Sequence, residues 1–497
     1  MIPLTVLPPK PFEQTINPTS PILLLACYEL GHQPLTLAWP LAFLKEAGLT
    51  AVGIDLSLDA FPVQSVLSAR FIGISVPMHT ALRLGVQAAR QVRQINPGAH
   101  ICFYGLYAWL NRDYLLGKRS AEDENGRPLA DSVLSGEYED PLLALTDAVL
   151  SGQPAANLPG VSTATSEAEP TLTRLSFPRP NRSNLPALDK YAHYIDQGYR
   201  LVAGYTEASR GCLHTCHHCP VVPIYDGRFF IVPAETVMED IRQQVAAGAR
   251  HITFGDPDFL NGPGHVLKIA RTLHQEFPHV TFDFTTKVEH ILEKADLIPE
   301  LQQLGATFVI SAFESVSDKV LERLQKGHTA ADMDRALEIL AEAGLPVQPT
   351  WVAFTPWTTL EDYLIMLKWI RTRELIQNVP AVQLSIRLLV PPNSALLNQP
   401  DTKEWLGALD AANFTYRWEH PDPRMETLQM QVTQIAETAG DDDPYTTFAA
   451  IEEAAYTLAG KAAPVWKRPL IPNRPPPRLT EDWFCCAEPT ATQIDRI

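Results

Sequence analysis

A chain of 497 residues is too long for one ordinary core, and at roughly 150 residues per domain it reads as two or three domains. Its composition, 45% hydrophobic and 20% charged, is that of a globular protein, and a formal charge of −17 with no basic run to offset it disfavours a nucleic-acid substrate. Its 7 cysteines form no disulfide framework; three fall in one loop and two are adjacent, which points to metal or redox chemistry in a reducing compartment.

The first residues, Met1 to Lys10, lack the charged region, apolar stretch and cleavage site of a signal peptide, and no apolar run reaches the roughly 18 residues of a membrane span. A cytoplasmic protein without membrane contact is expected. Ile22–Cys27, Ala51–Ile54, Phe71–Val76 and His100–Gly105 read as buried strands. Between them, Leu41–Ala47 ends at a capping Gly48, and Thr80–Ile95 places Leu82, Val86, Ala89, Val92 and Ile95 three or four apart, as an amphipathic helix does. Strand and helix alternating over residues 18–153 imply a doubly wound, Rossmann-like parallel sheet. Cys27 and Cys102 sit in these apolar runs as small hydrophobes.

Residues 154–196 are expected as a linker, beginning with a stretch rich in Ala, Ser, Thr, Pro and Glu. Alternation then resumes over residues 197–397, with strands expected at Val202–Thr206, Ile252–Gly255, Val280–Thr285, Phe308–Ala312, Val347–Phe354 and Val382–Leu389. Helices fit between them, as at Ala234–Ala247. Six strands suit a partial (β/α)6 barrel of the TIM type, with its active site at the C-terminal strand ends. Residues 398–497 read as mostly helical, clearest at Thr446–Leu458, and then pass through Pro469–Arg478, where successive prolines forbid a helix.

Chemistry concentrates in Ser209-Arg-Gly-Cys-Leu-His-Thr-Cys-His-His-Cys-Pro220. Cys212, Cys216 and Cys219 can turn three sulfurs onto one compact inorganic core. Zinc held by Cys216, Cys219 and some of His214, His217 and His218 is the competing reading, but it gives Cys212 no role.

The CxxxCxxC pattern, just after the first barrel strand, resembles the signature of the radical S-adenosylmethionine (radical SAM) enzymes. The resemblance implies a [4Fe–4S] cluster with three irons held by Cys212, Cys216 and Cys219 and one left open for S-adenosylmethionine, whose reductive cleavage yields a 5'-deoxyadenosyl radical. An external electron donor of flavodoxin or ferredoxin type is implied with it. The Rossmann-like segment resembles the cobalamin-binding domain that often precedes the barrel in this family. The family's Asp-x-His-x-x-Gly motif is missing from Cys27–Pro34, so cobalamin is a candidate cofactor without that axial histidine.

By position, the resemblance assigns the methionine ammonium to Asp256 or Asp258, in Gly255-Asp-Pro-Asp258, and the ribose hydroxyls to Glu314, with Ser315 beside it. Thr285, Thr286 and Lys287 would line the pocket, Lys287 against a substrate carboxylate. Arg387, a charge inside an apolar strand, is expected to face the barrel interior and pair with an anion such as the methionine carboxylate. The ending Cys485-Cys-Ala-Glu-Pro489 resembles that of radical SAM proteins named for a CCAEP or CUAEP tail. This implies a reactive Cys486, with Cys485 beside it, acting as redox partner or soft ligand near the barrel mouth. The expected activity is modification of a small molecule, by transfer of a group derived from S-adenosylmethionine or by remodelling. A non-catalytic corrinoid- or metal-binding protein and a transfer-RNA-modifying enzyme are the alternatives, the latter disfavoured by the acidic charge.

Overall fold

Ile22–Ala26 (β1) and Phe71–Ser75 (β3) are apolar runs buried along their whole length, which is what a central parallel strand covered on both faces requires. The computed structural model describes residues 19–118, 126–439, 443–468 and 475–481. With β2 (Val52–Asp55), β4 (His100–Tyr104) and β5 (Ser132–Leu134), these strands form a parallel sheet in the order β2-β1-β3-β4-β5, and β6 (Ser162–Thr163) closes it antiparallel to β5. The order reverses between β1 and β3, the position at which such sheets open a ligand crevice. Helix His79–Ile95 buries Leu82, Val86, Ala89 and Val92 against the sheet, as their spacing predicts. Strand β5 is only 3 residues long, too short to show as a periodic run.

The segment expected as a linker is packed. Besides carrying β6, it bonds at Thr171 to the backbone of Ser135 and Glu137. Farther on, the buried Arg182 forms a bidentate pair with Asp240 at 2.7 and 2.9 Å while donating to Gln33 at 2.9 Å. A connector whose guanidinium bonds to residues on both sides holds the two sheets together.

The second sheet has the order β14-β13-β12-β11-β8-β7-β17. Its five parallel strands are β8 (Tyr199–Thr206), β11 (His251–Phe254), β12 (Thr281–Thr286), β13 (Ala306–Glu314) and β14 (Val347–Trp351). β7 (His193–Asp196) runs antiparallel to β8. A hairpin of β9 (Ser209–Gly211) and β10 (Phe229–Ile231) stands apart at the mouth. The sixth parallel strand expected at Val382–Leu389 is reduced to a single bridge between Phe354 and Arg387, because residues Ala381–Leu384 coil into a 3-10 turn. The sheet is therefore a curled half-barrel. Beyond it, the expected helices, here Pro423–Ala439 and Pro444–Leu458, are preceded by a hairpin of β15 (Leu406–Asp410) and β16 (Thr415–Trp418). β17 (Arg478–Leu479) then returns to pair antiparallel with β7.

Candidate active site

The three-cysteine loop is closed at its base by the β9–β10 ladder, where Gly211 pairs with Phe229. Gly211 lies at φ +76°, and a Cβ there would stand 2.4 Å from the Arg228 carbonyl oxygen and 2.5 Å from the Tyr225 ring. Only glycine fits this combination of left-handed backbone and close approach. The next residue, Cys212, donates its N–H to that same carbonyl at 3.0 Å. Asn261 Oδ1 accepts from Leu213 N at 3.2 Å, and His217 is held by the Leu324 and Arg323 carbonyls, both at 3.0 Å. The loop is thus tied to the segments that follow β11 and β13.

Cys212, Cys216 and Cys219 all line one cavity of about 160 Å³, together with His218, Lys287, Glu314, Lys326 and Gln383. Burial, then repulsion from Asp258, pushes the Cys212 thiol up to about 11; burial and the neighbouring Cys216 push Cys219 to about 12. Three thiols converging on one space, two of them, Cys212 and Cys219, costly to ionise alone, form a donor set that fits an iron–sulfur cluster, whose positive irons hold thiolates in their charged form.

Glu314 stands at the mouth end of β13, where the register shifts and its φ is +65°. Its carboxylate accepts from Lys326 Nζ at 3.1 Å and lies 3.4 Å from His218 Nε2. Burial alone would raise its pKa, but the Lys326 ammonium and His218 prevail and hold it down at about 2. Lys326 and Gln383, whose amide oxygen accepts from Trp351 N at 3.0 Å, were not foreseen as site residues. A lysine in Leu-Gln-Lys-Gly looks like any surface lysine until the fold buries it.

Several expected roles change. Asp258 turns away from the cavity: its Oδ1 accepts from Leu260 N and Thr286 Oγ1 and its Oδ2 from Lys287 N, so the tight turn after β11 takes up its carboxylate. Asp256 accepts from Ala208 N at 2.9 Å and Ser209 Oγ at 2.6 Å, and it lines a second cavity. Ser315 is buried, and its hydroxyl accepts from Ser317 N in the turn after β13. Lys287 is buried and paired with Glu289 at 2.9 Å. Arg387 faces Glu426, at 2.8 and 3.1 Å, and its guanidinium lies 3.6 Å from the Trp418 ring centre. With the sixth strand reduced to one bridge, its side chain is taken by the C-terminal segment rather than by the barrel interior. Cys485 and Cys486 lie outside the described residues.

The second cavity, about 300 Å³, opens where the C-terminal ends of β1, β3, β4 and β5 face the half-barrel. It shares Cys219, Pro220, Pro257, Thr285 and Ile310 with the first, so the two spaces adjoin across one wall. Arg210 sits beside it in a buried knot with Glu137 at 3.5 Å, Glu139 at 2.8 Å and Glu207 at 2.7 Å. Glu29 receives Leu35 N, Thr36 N and Thr36 Oγ1 at the start of helix Leu35–Glu46. Burial pushes Glu29 up to about 8 despite these bonds, and Asp256 up to about 7. For cobalamin the position at the sheet's switch point fits. His32 lies in the cavity wall with its ring stacked on Tyr205 at 4.3 Å and its Nδ1 unpartnered. A volume near the roughly 300 Å³ lower bound of small-molecule pockets suits a compact ligand.

Residues 206–364 match the model of the radical SAM superfamily. The hopanoid C-3 methylase of Methylococcus capsulatus is 23% identical over 248 residues, 50% of this chain and 47% of that protein. The ribosomal protein uS12 methylthiotransferase RimO of Acinetobacter baylyi is 26% identical over 277 residues, 51% of this chain and 58% of that protein. The chain spans about half the length of these curated relatives. Among solved structures, the cobalamin-dependent S-adenosylmethionine radical enzyme OxsB, with aqua-cobalamin and S-adenosylmethionine bound, superposes with a TM-score of 0.68 at 15% identity, over 88% of this chain and 72% of that one. The radical S-adenosylmethionine methyltransferase TsrM from Kitasatospora setae, with cobalamin and a [4Fe–4S] cluster bound, gives 0.56 at 16% identity, over 72% and 74%. At these identities the likeness is one of fold. The chain carries a radical SAM domain, which implies a [4Fe–4S] cluster and S-adenosylmethionine as cofactors, and it is an enzyme.

Proposed function

We propose that the enzyme cleaves S-adenosylmethionine reductively at a cluster held by Cys212, Cys216 and Cys219 and modifies a small molecule in the adjoining interdomain cavity, by transfer of a group derived from S-adenosylmethionine. The observation that carries this reading is the common wall of the two cavities, to which Cys219 itself contributes. When bound, the cluster supplies the electron that breaks the sulfonium bond. Glu314, held ionised by Lys326 and His218, is an acceptor suited to the ribose hydroxyls. The Pro257 turn after β11 borders both cavities and can offer backbone oxygens to the methionine ammonium. Burial raises the lining acids Glu29 and Asp256 toward their neutral forms, and Glu207 is paired with Arg210, which favours a neutral substrate over a charged one. Cobalamin is the second candidate cofactor, and the electron donor is external, of flavodoxin or ferredoxin type.

Cys485 and Cys486 act, in this reading, as a vicinal thiol pair that serves as redox or soft-ligand partner. β17 is antiparallel to β7 and so runs with β8 toward the mouth. Thr480 N bonds the His193 carbonyl at 2.9 Å, and the Glu481 side chain packs directly on Gly31, between the lining residues Leu30 and His32.

Anaerobic reconstitution followed by incubation with dithionite and S-adenosylmethionine tests the central step. The native chain is expected to form 5'-deoxyadenosine, and Cys212→Ala to lose both the cluster iron and the product. Unchanged iron in Cys212→Ala, with no 5'-deoxyadenosine from the native chain, would refute the reading. Retention of added hydroxocobalamin through gel filtration decides the second cofactor.

A further inference from the structure

Beside the cluster loop lies a second donor set that the radical chemistry does not use. His214, from the cluster loop, Asp258, from the turn after β11, and His290, from helix Val288–Glu293, each aim one ligand atom into a common space, all within 4.8 Å of one another. Asp258 Oδ2 lies 3.0 Å from His290 Nδ1 and 3.6 Å from His214 Nε2. These separations bracket the edge of about 3.3 Å that a tetrahedral ion imposes on ligands bound at ~2.0–2.1 Å. His290 is 6% exposed and Asp258 0%. Among the described residues, neither His290 Nδ1 nor His214 Nε2 has a partner in hydrogen-bonding geometry, although both atoms are buried. Buried ring nitrogens converging on a carboxylate, with no hydrogen-bond partner among the described residues, are the donor arrangement a cation would satisfy.

The surroundings are also those of a metal site. His214 turns its other nitrogen, Nδ1, toward Glu289 Oε2 at 3.3 Å, the arrangement by which an outer carboxylate orients a ligating imidazole. Asp258 is fixed through Oδ1 by Thr286 Oγ1 at 2.8 Å and Leu260 N at 3.0 Å, and Oδ2, which accepts from Lys287 N at 3.2 Å, is held in position with a lone pair left for an ion. The Lys287 ammonium, the nearest cation, is engaged by Glu289 at 2.9 Å. Two carboxylates against one ammonium leave the pocket with a net negative charge.

We propose that His214, Asp258 and His290 bind one divalent first-row metal ion, separate from the cluster and chemically distinct from it. Two imidazoles and a carboxylate suit zinc or iron(II), whereas the cluster takes soft thiolates. The ion cross-links the cluster loop to the segments after β11 and β12, and with three protein ligands it keeps an open coordination position. His214 lines the cluster-side cavity, which sets the ion in that cavity's wall.

The test uses the full chain with its cluster reconstituted, zinc as the probe, and elemental analysis together with zinc-edge X-ray absorption. One zinc per chain is expected in addition to the cluster iron, with nitrogen and oxygen neighbours at ~2.0–2.1 Å and none of the sulfur expected at ~2.3 Å. His290→Ala should lose the zinc and keep its iron, and Glu289→Gln, a milder change, should weaken zinc binding by about 10- to 100-fold. Substoichiometric zinc in the native chain, sulfur in its coordination shell, or full zinc retention in both variants would overturn the proposal and leave a hydrogen-bonded His–Asp–His cluster. The absorption spectrum of the native chain decides the matter even if His290→Ala fails to fold.

Discussion

The two adjoining cavities are built in opposite ways. On the cluster side, eight consecutive residues supply all three thiols, and Glu314, the one carboxylate lining the space among the described residues, is balanced by Lys326. On the interdomain side, the polar wall is assembled from Glu29, Glu207, Arg210 and Asp256, drawn from both sheets, and Arg210 is paired in turn with Glu137 and Glu139. The difference separates two tasks: a short rigid loop suffices to hold an inorganic centre, whereas a space shaped for a particular substrate requires two domains fixed against each other.

Removing Arg210 breaks the comparison most severely. Arg210→Ala leaves the buried carboxylates of Glu137 and Glu139 and the partly buried one of Glu207 without their common cation, and a loss of about 3–5 kcal/mol of stability is expected from urea unfolding. A loss within the error of an exposed pair would mean that the carboxylates are protonated and the knot carries no charge. Gly211→Ala acts on the other side, forcing a side chain into the left-handed backbone against the Arg228 carbonyl. A cost of about 1–3 kcal/mol is expected, together with a lower iron content after reconstitution; full iron loading would show that the loop tolerates the strain.

The two sides also differ in their response to pH. Glu29 keeps its proton in the folded chain up to about 8 but loses it near its ordinary value of 4.5 in the unfolded chain. The folded state therefore binds more protons across that window, and this contribution to stability is present at low pH and declines as the pH rises from about 4.5 to about 8. Glu29→Gln should flatten the decline in unfolding midpoint between pH 6 and pH 8, and an unchanged slope would show that another group titrates. The smallest effect belongs to Arg387: Arg387→Ala should cost about 1 kcal/mol through loss of Glu426 and Trp418, with S-adenosylmethionine binding unchanged by calorimetry. Weakened binding would restore the barrel-interior role first expected for it.

What could be read in the sequence follows the same division. The cluster loop and most parallel strands were legible because their signals are local: cysteine spacing, apolar runs and the 3.6-residue period of His79–Ile95. Lys326, Gln383 and the Arg210 knot were not, because a buried charge in a soluble chain is visible only once its distant partners are known. Val382–Leu389 reads as a strand by its apolar residues, but Pro380 and the 3-10 turn that follows stop the ladder from forming. The choice between Asp256 and Asp258 is hidden for a related reason, since position in a motif does not reveal which way a carboxylate turns. The enzyme reading replaces the non-catalytic alternative, and the radical SAM domain is what decides it.

The most direct test of the central assignment is electron paramagnetic resonance of the dithionite-reduced, reconstituted chain, recorded with and without S-adenosylmethionine. A cluster held by Cys212, Cys216 and Cys219 with its fourth iron open predicts a [4Fe–4S] signal that changes when S-adenosylmethionine is added and that disappears in Cys219→Ala. A signal indifferent to S-adenosylmethionine, or one that survives removal of Cys219, would contradict it.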